Sequence, residues 1–371
     1  MLALDSAAMG SRISDARNRQ GMTQAELATE IDIDRSALAK IESGTRRVSA
    51  LELARIASTL GERIEWFVTD APAAIVSHRN AQAPGTPDAA IDRMIEQIAR
   101  NVEFVIEQDQ SLQLENQEGR DRPRSNESIE EQAHSVRGRL GLEASEPFSD
   151  MSRRVNSLGL LTFVFDLGQE AADAASLLLS NGGVALVNGH LQVGRRRLAL
   201  AHEVGHYVFA DEYSVDWRID DRDDDAWEGR LDRFARALLL PSRAVVDRWN
   251  ELTSHDGNVR AAAVKIASEF QVDMSTLSRR LSELGVVNSD RAGFIRSVRT
   301  TRADIVDFNL VPRDELRPIC LPKRYEAAVL RLFRSETVSP ARAMELLFDS
   351  WEVDDLPELP KLPQNAIWNF V

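Results

Sequence analysis

The sequence holds one cysteine, Cys320, among 371 residues. A lone thiol closes no disulfide within the chain, which points to a reducing compartment rather than a bridge-stabilised secreted fold. Positive charge is scarce too: 45 Lys and Arg against 59 Asp and Glu leave a formal charge of −14. Such a surface repels phosphate, so coating nucleic acid through bulk charge is excluded and any DNA contact must be local. No apolar run reaches the length, about 18 residues, that a bilayer-spanning helix needs, so no membrane partner is expected. The opening stretch MLALDSAAMG lacks the basic and apolar segments of an export signal, which adds to the expectation of a cytoplasmic protein.

What is present is a mixed composition, 43% hydrophobic and 28% charged, of a length that suits two or three globular domains. The pattern predicts a multidomain, mainly α chain. Residues 10–67 carry short helical periods separated by turn residues, an all-α module. The passage APAAIVSHRNAQAPGTP (71–87) has three prolines and no apolar period, and reads as a linker. In 88–113, Ile91, Met94, Ile95, Ile98, Val102, Val105 and Ile106 recur at three- and four-residue steps, one stripe along a connecting helix. That stripe either packs on a neighbour or forms the seam of a homodimer.

The polar stretch 115–128 marks a second boundary. Beyond it, LLTFVFDL (160–167) and GGVALVNG (182–189) read as strands, whereas 195–210 and 226–240 read as helices, giving an α+β unit. VKIASEFQVDMSTLSRRLSELG follows as two helices ending at Gly285. Residues 290–371 form a helical C-terminal extension to which the sequence assigns no role.

Two motifs carry chemistry. In GMTQAELATEIDIDRSALAKIESGTRRVS, Thr23 and Glu26 form a capping box and Asp34 is placed to cap the next helix. Leu27, Ala28, Ile33, Leu38 and Ile41 supply the contacts that hold two helices at a steep angle, the geometry of a recognition helix in a major groove. The pattern resembles the Cro/C1-type (XRE) repressor family over 10–67. That resemblance implies a double-stranded DNA operator as partner, with Gln24 at a phosphate or base contact, Arg35, Ser36 and Lys40 facing outward where bases are read, and Arg46 and Arg47 on backbone phosphates. The module carries 9 basic and 9 acidic residues, so paired copies are expected to be needed for firm DNA binding.

The second motif is His202-Glu203-Val204-Gly205-His206, HExxH on an apolar helix. Two histidines four apart lie one turn above each other and can reach one metal, with Glu203 offset toward its water as general base. Catalytic zinc needs a third protein ligand. Glu228 stands 22 residues after His206, with Asp232 one turn further on. The pair resembles the arrangement in thermolysin-like peptidases, which implies His202, His206 and Glu228 as ligands of Zn²⁺ and Asp232 as acceptor of a ligand histidine's outer N–H.

Together, HEVGH and E-x3-D-x-FA-x2-LLLP resemble the ImmA/IrrE metallopeptidase family across 125–286, with Leu231 and Leu240 as departures from its commonest residues. The resemblance implies a zincin-like α+β peptidase domain. It also implies a zinc endopeptidase that cuts a helix-turn-helix repressor or antitoxin in a stress or prophage response. The reading of another class is a transcription factor or antitoxin whose zinc domain senses a ligand or partner without cleaving. His190, Tyr207, Tyr213 and His255 are the candidates by type for an oxyanion donor. The run 211–225, with 8 acidic residues and 2 arginines, reads as a solvated loop or as a lid that attracts a basic segment. Cys320 is expected to pack as a small apolar residue, and His78 and His134 to be isolated.

Overall fold

The computed structural model describes residues 6–60, 64, 67, 76–79, 89–114, 120–209, 221–254, 257–311 and 313–359; of these, 15, 19, 76–79, 89–90 and 221–225 are described in backbone only. The chain divides into a unit of residues 1–73 and a unit of residues 74–371. Among the described residues no helix is long and apolar enough to cross a membrane.

The first unit is built from α1 (Ser6–Arg19), α2 (Gln24–Glu30), α3 (Arg35–Glu42) and α4 (Ala50–Leu60). The capping box starts α2 as expected: Thr23 N donates to Glu26 Oε2 at 2.7 Å and Glu26 N to Thr23 Oγ1 at 3.3 Å. Asp34 occupies the N-cap of α3, but its side chain makes no capping bond. Ile13, Leu27, Leu38, Ile41 and Ile56 close the core, with Ile33 only partly buried at its rim. Across it, the Arg17 guanidinium meets the Glu42 carboxylate at 2.7 and 3.2 Å, tying α1 to α3.

In the second unit a four-stranded sheet runs in the order β1 (Val76–Arg79), β3 (Ala174–Leu178), β4 (Gly183–Asn188), β2 (Leu160–Phe165). Strands β2 and β4 are parallel; β3 is antiparallel to both β4 and β1. The passage read as a linker therefore contributes a strand. Alternate residues of β2 enter two different cores, Leu160 and Val164 on one face, Leu161, Phe163 and Phe165 on the other. Both faces are covered, which is why the strands read as continuous apolar runs.

One face is covered by α6 (Asn126–Arg139), α7 (Met151–Ser157), α8 (Val193–Val208) and α9 (Asp221–Leu239), extended by α10 (Ser242–Thr253), α11 (Val259–Phe270), α12 (Met274–Glu283) and α13 (Ser289–Ser297). The other face is covered by α5 (Ala89–Gln108), α15 (Lys323–Arg334) and α16 (Pro340–Leu346), while α14 (Arg302–Asp307) lies between α13 and α15 in the chain. The α5 stripe is not a pairing seam: Ile91, Ile95, Ile98, Val102 and Val105 are fully buried in the core they share with the sheet. Nor is the C-terminal extension an appendage. Tyr325, Val329 and Leu332 complete that core, and Cys320 bridges to Val164 through paired backbone bonds of 2.9 and 3.0 Å.

Candidate metal centre

Helix α8 is buried along almost its whole length, so each polar side chain on it needs a partner. Arg196 and Arg197 pair with Asp314 and Glu315 of the C-terminal extension. The remaining buried polar groups, His202, Glu203 and His206, stand together at the other end of the helix. Helix α9 packs beside α8 through Trp227, Leu231, Phe234 and Leu238, spaced along one face. Gly205 permits the approach: a Cβ there would lie 2.9 Å from Leu231 Cδ2 and 3.2 Å from Phe234 Cδ1.

This packing brings Glu228 and Asp232, one turn apart on α9, against the histidines. His202 Nδ1 lies 3.0 Å from Asp232 Oδ1, and His202 Nε2 lies 3.0 Å from Glu228 Oε2. His206 Nε2 is 3.2 Å from His202 Nε2 and 3.6 Å from Glu228 Oε1. The ligand atoms of His202, His206 and Glu228 all fall within 4.8 Å of one another. The imidazoles are 2% and 5% exposed, whereas the Glu228 side chain is 42% exposed, so the group is walled on the histidine side and open on the carboxylate side.

The donor set fits a divalent cation. An Nδ1–H of His202 donated to Asp232 leaves its Nε2 as a lone pair, and that lone pair faces a carboxylate oxygen and a second ring nitrogen. Three electron-rich atoms converge where a cation would share them. Two nitrogens and one oxygen suit zinc, and three protein ligands leave a coordination position for water or substrate.

Glu203 is fully buried, and its Oε2 accepts a 2.5 Å bond from the Ser176 hydroxyl on β3. Sequence reasoning missed Ser176, because β3 reads AASLL, poor in the β-branched and aromatic residues that signal a strand. Of the oxyanion candidates, Tyr207 is buried with its hydroxyl donated to Leu158 O at 3.0 Å, and His190 is an exposed partner of Asp166 at 3.1 Å. Tyr213 and His255 lie outside the described residues. So does most of the acidic run: 210–220 are outside them, and 221–225 open α9. His134 is exposed, and the backbone of His78 belongs to β1.

In the first unit Arg35, Ser36 and Lys40 are exposed along α3, with Arg47 exposed just past it. Gln24 is turned to Glu42, its amide donating at 2.7 Å, and Arg46 pairs with Glu52 at 2.6 Å.

The helix-turn-helix family matches residues 13–67, and the family described as IrrE N-terminal-like domain matches 155–282. No curated protein matches the chain. Among solved structures, the restriction-modification controller protein C.AhdI from Aeromonas hydrophila is similar at 28% identity over 17% of this chain and 96% of its own, with a TM-score of 0.17. PlcR from Bacillus thuringiensis, solved with the peptide PapR7 and DNA, is similar at 14% identity over 82% of this chain and 96% of its own, TM-score 0.16. The apo competence regulator ComR from Streptococcus vestibularis is similar at 12% identity over 93% of this chain and 98% of its own, TM-score 0.17. Residues 13–67 thus carry an XRE-type helix-turn-helix match and residues 155–282 a match to the ImmA/IrrE-like domain.

Proposed function

We propose that this chain is a cytoplasmic DNA-binding regulator whose second unit hydrolyses peptide bonds with zinc, and that its substrate is a helix-turn-helix repressor or an antitoxin. The observation that carries the reading is the convergence of His202, His206 and Glu228 within 4.8 Å, with the buried carboxylate of Glu203 one residue from a ligand. A non-cleaving sensor would need the first three residues but has no use for a buried, hydrogen-bonded Glu203.

His202, His206 and Glu228 would hold the ion, and Asp232 fixes the His202 ring so that Nε2 presents its lone pair. Bound there, zinc supplies a Lewis acid that polarises a peptide carbonyl and acidifies water. Glu203 takes up a proton at its carboxylate and returns it to the leaving amine, while Ser176 anchors Oε2. Burial of Glu203 keeps bulk water from competing for that proton. On the DNA side, Arg35, Ser36 and Lys40 would read base edges, with Arg47 on phosphate and Gln24 and Arg46, held by Glu42 and Glu52, flanking them. A homodimer would double these contacts, through a surface other than the α5 stripe.

Elemental analysis of exhaustively desalted protein tests the centre. About one zinc per native chain is expected from a three-ligand site, and less in Glu228→Ala. Glu203→Gln should keep the metal and the DNA binding while losing cleavage of a co-expressed repressor. A native chain that retains no zinc after supplementation overturns the peptidase reading.

A further inference from the structure

The edge of the catalytic sheet is occupied by the chain itself. Strand β1 pairs antiparallel with β3 in the register Val76↔Leu177, Ser77↔Ser176, His78↔Ala175 and Arg79↔Ala174. The opposite side of β3 is taken by β4, so β1 covers the one edge of β3 that would otherwise present unpaired N–H and C=O groups. The backbone of Ser77 sits directly across the ladder from Ser176, the residue whose hydroxyl holds Glu203. Paired residues of an antiparallel ladder are about 4.5–5.5 Å apart. Both strands also lie against α8, the helix that carries His202, Glu203 and His206.

An extended peptide laid antiparallel along β3 would therefore have its backbone across from Ser176, the partner of the candidate base, and against the helix that carries that base. A sheet edge binds such a peptide through main-chain bonds and tolerates many sequences. Here the strand in that place is four residues long and lies in a passage with Pro72, Pro84 and Pro87 around it, so it is held by few ladder bonds. It is also joined covalently, and a short tether gives an effective concentration on the order of millimolar.

We propose that Val76–Arg79 is an intramolecular occupant of the β3 edge, which an incoming extended peptide must displace. This rests on the reading of Glu203 as the base of a peptidase. Because the occupant belongs to the passage that leads from the helix-turn-helix domain, filling the site with another peptide releases that passage from the sheet. Access to the catalytic edge and the state of the connection to the DNA-binding unit are then one equilibrium.

The probe is a fluorescent synthetic peptide of the chain's own residues 74–81, AIVSHRNA, offered to full-length, metal-free protein. The double variant Ser77→Pro/His78→Pro removes the N–H groups of two consecutive residues of β1, one of which faces β3 and donates to the ladder. A second variant, with residues 76–79 replaced by four glycines, weakens the strand without proline, and circular dichroism confirms that both fold. Both variants should bind the peptide at least about tenfold tighter than the native chain, as expected when a tethered competitor is removed. By hydrogen exchange, the alternate amides of Ala174–Leu178 that face β1 should be protected in the native chain, exposed in the variants and protected again by the peptide, while those facing β4 stay protected throughout. Equal affinity in native and variant chains, or no binding by any of them, overturns the proposal. Metal-free protein keeps the two readings apart. A chain that holds zinc and needs Glu203 for cleavage, yet shows equal affinities, sinks only the occupied edge; a chain that holds no zinc but shows the tenfold gain sinks only the peptidase.

Discussion

Asp232 Oδ1 lies 3.0 Å from Nδ1 of His202, and the other oxygen of the same carboxylate lies 3.7 Å from Nη1 of Arg236. Asp232 is thus gripped from behind by a guanidinium that is itself fixed to Glu283 at 2.7 Å, and it holds the imidazole from the side away from Glu228. The relay from α12 through α9 to α8 sets the ring orientation before any ion arrives. Asp232→Ala should leave three ligands and one site but weaken zinc affinity by about 10–100-fold, the usual cost of losing such a partner. Competition with a chelator measures it. An unchanged affinity would make Asp232 a bystander.

Gly205 is the spacing residue of the centre, and two substitutions separate its roles. Alanine there meets Leu231 Cδ2 at 2.9 Å, the far end of a flexible side chain, and gains roughly 1 kcal/mol of helix propensity over glycine. Gly205→Ala should therefore be close to neutral in thermal stability. Valine adds two methyl groups toward Leu231 and Phe234, and overpacking of this kind costs about 1–3 kcal/mol. It also pushes α9 away from α8, so Gly205→Val should lose zinc affinity along with stability. A valine variant that melts and binds zinc like the native chain would show that the two helices do not need this contact.

The features that were legible in the sequence are local. HExxH, the Glu228–Asp232 turn and the Thr23–Glu26 capping box each lie within one or two helical turns, so a single periodicity places them. What was hidden depends on partners far along the chain. Ser176 meets Glu203 across 27 positions and from a strand of Ala, Ser and Leu that carries no strand signal. The α5 stripe announced a buried face but not its partner, since periodicity says that a helix has an apolar side and not what covers it. The C-terminal stretch read as helical, yet only the fold reveals that its helices cover a sheet more than 130 positions earlier. Strand β1 hid in a passage that prolines mark as irregular.

Asp304 links the extension to α11 and makes the fold pH-sensitive. Its carboxylate receives Arg260 at 2.6 and 2.7 Å and caps α14 through the Thr301 N–H and hydroxyl at 2.7 and 2.8 Å. The Arg260 guanidinium, aided by these capping donors, holds the carboxyl well below the usual carboxylate range. A depressed folded value means that the stabilisation is full above the unfolded value of about 3.9 and is lost as pH falls toward and through the folded one. Asp304→Asn should therefore lower the melting temperature by the same amount at pH 7 and pH 5, and by less at pH 3. Melting curves at the three values test this, and a gap as wide at pH 3 as at pH 7 would rule out the ionised pair as its source.

The second unit extends beyond the stretch that the family match covers. The family match stops at 282, which suggests that residues beyond it could be removed. Packing argues otherwise. Leu161, Phe163, Leu177 and Leu186 on one face of the sheet share their core with Tyr325, Val329, Leu332 and Phe333, and the Tyr325 hydroxyl donates to Leu346 O at 2.9 Å. Removal would also strip Asp314 and Glu315 from Arg196 and Arg197, leaving two guanidinium groups buried in α8 without their carboxylates. Breaking the Arg197–Glu315 pair, the more buried of the two, costs up to about 3–5 kcal/mol, the Arg196 pair with the 42% exposed Asp314 carboxylate costs less because solvent screens it, and uncovering several large apolar side chains costs a few kcal/mol apiece, against a total stability of about 5–15 kcal/mol for a typical domain. A chain ended at residue 300 should therefore fail to accumulate as soluble protein. The milder Leu332→Ala should fold, bind zinc and lose about 2–5 kcal/mol in urea unfolding. A soluble, zinc-binding fragment ending at 300 would show that the extension is an accessory rather than half of the core.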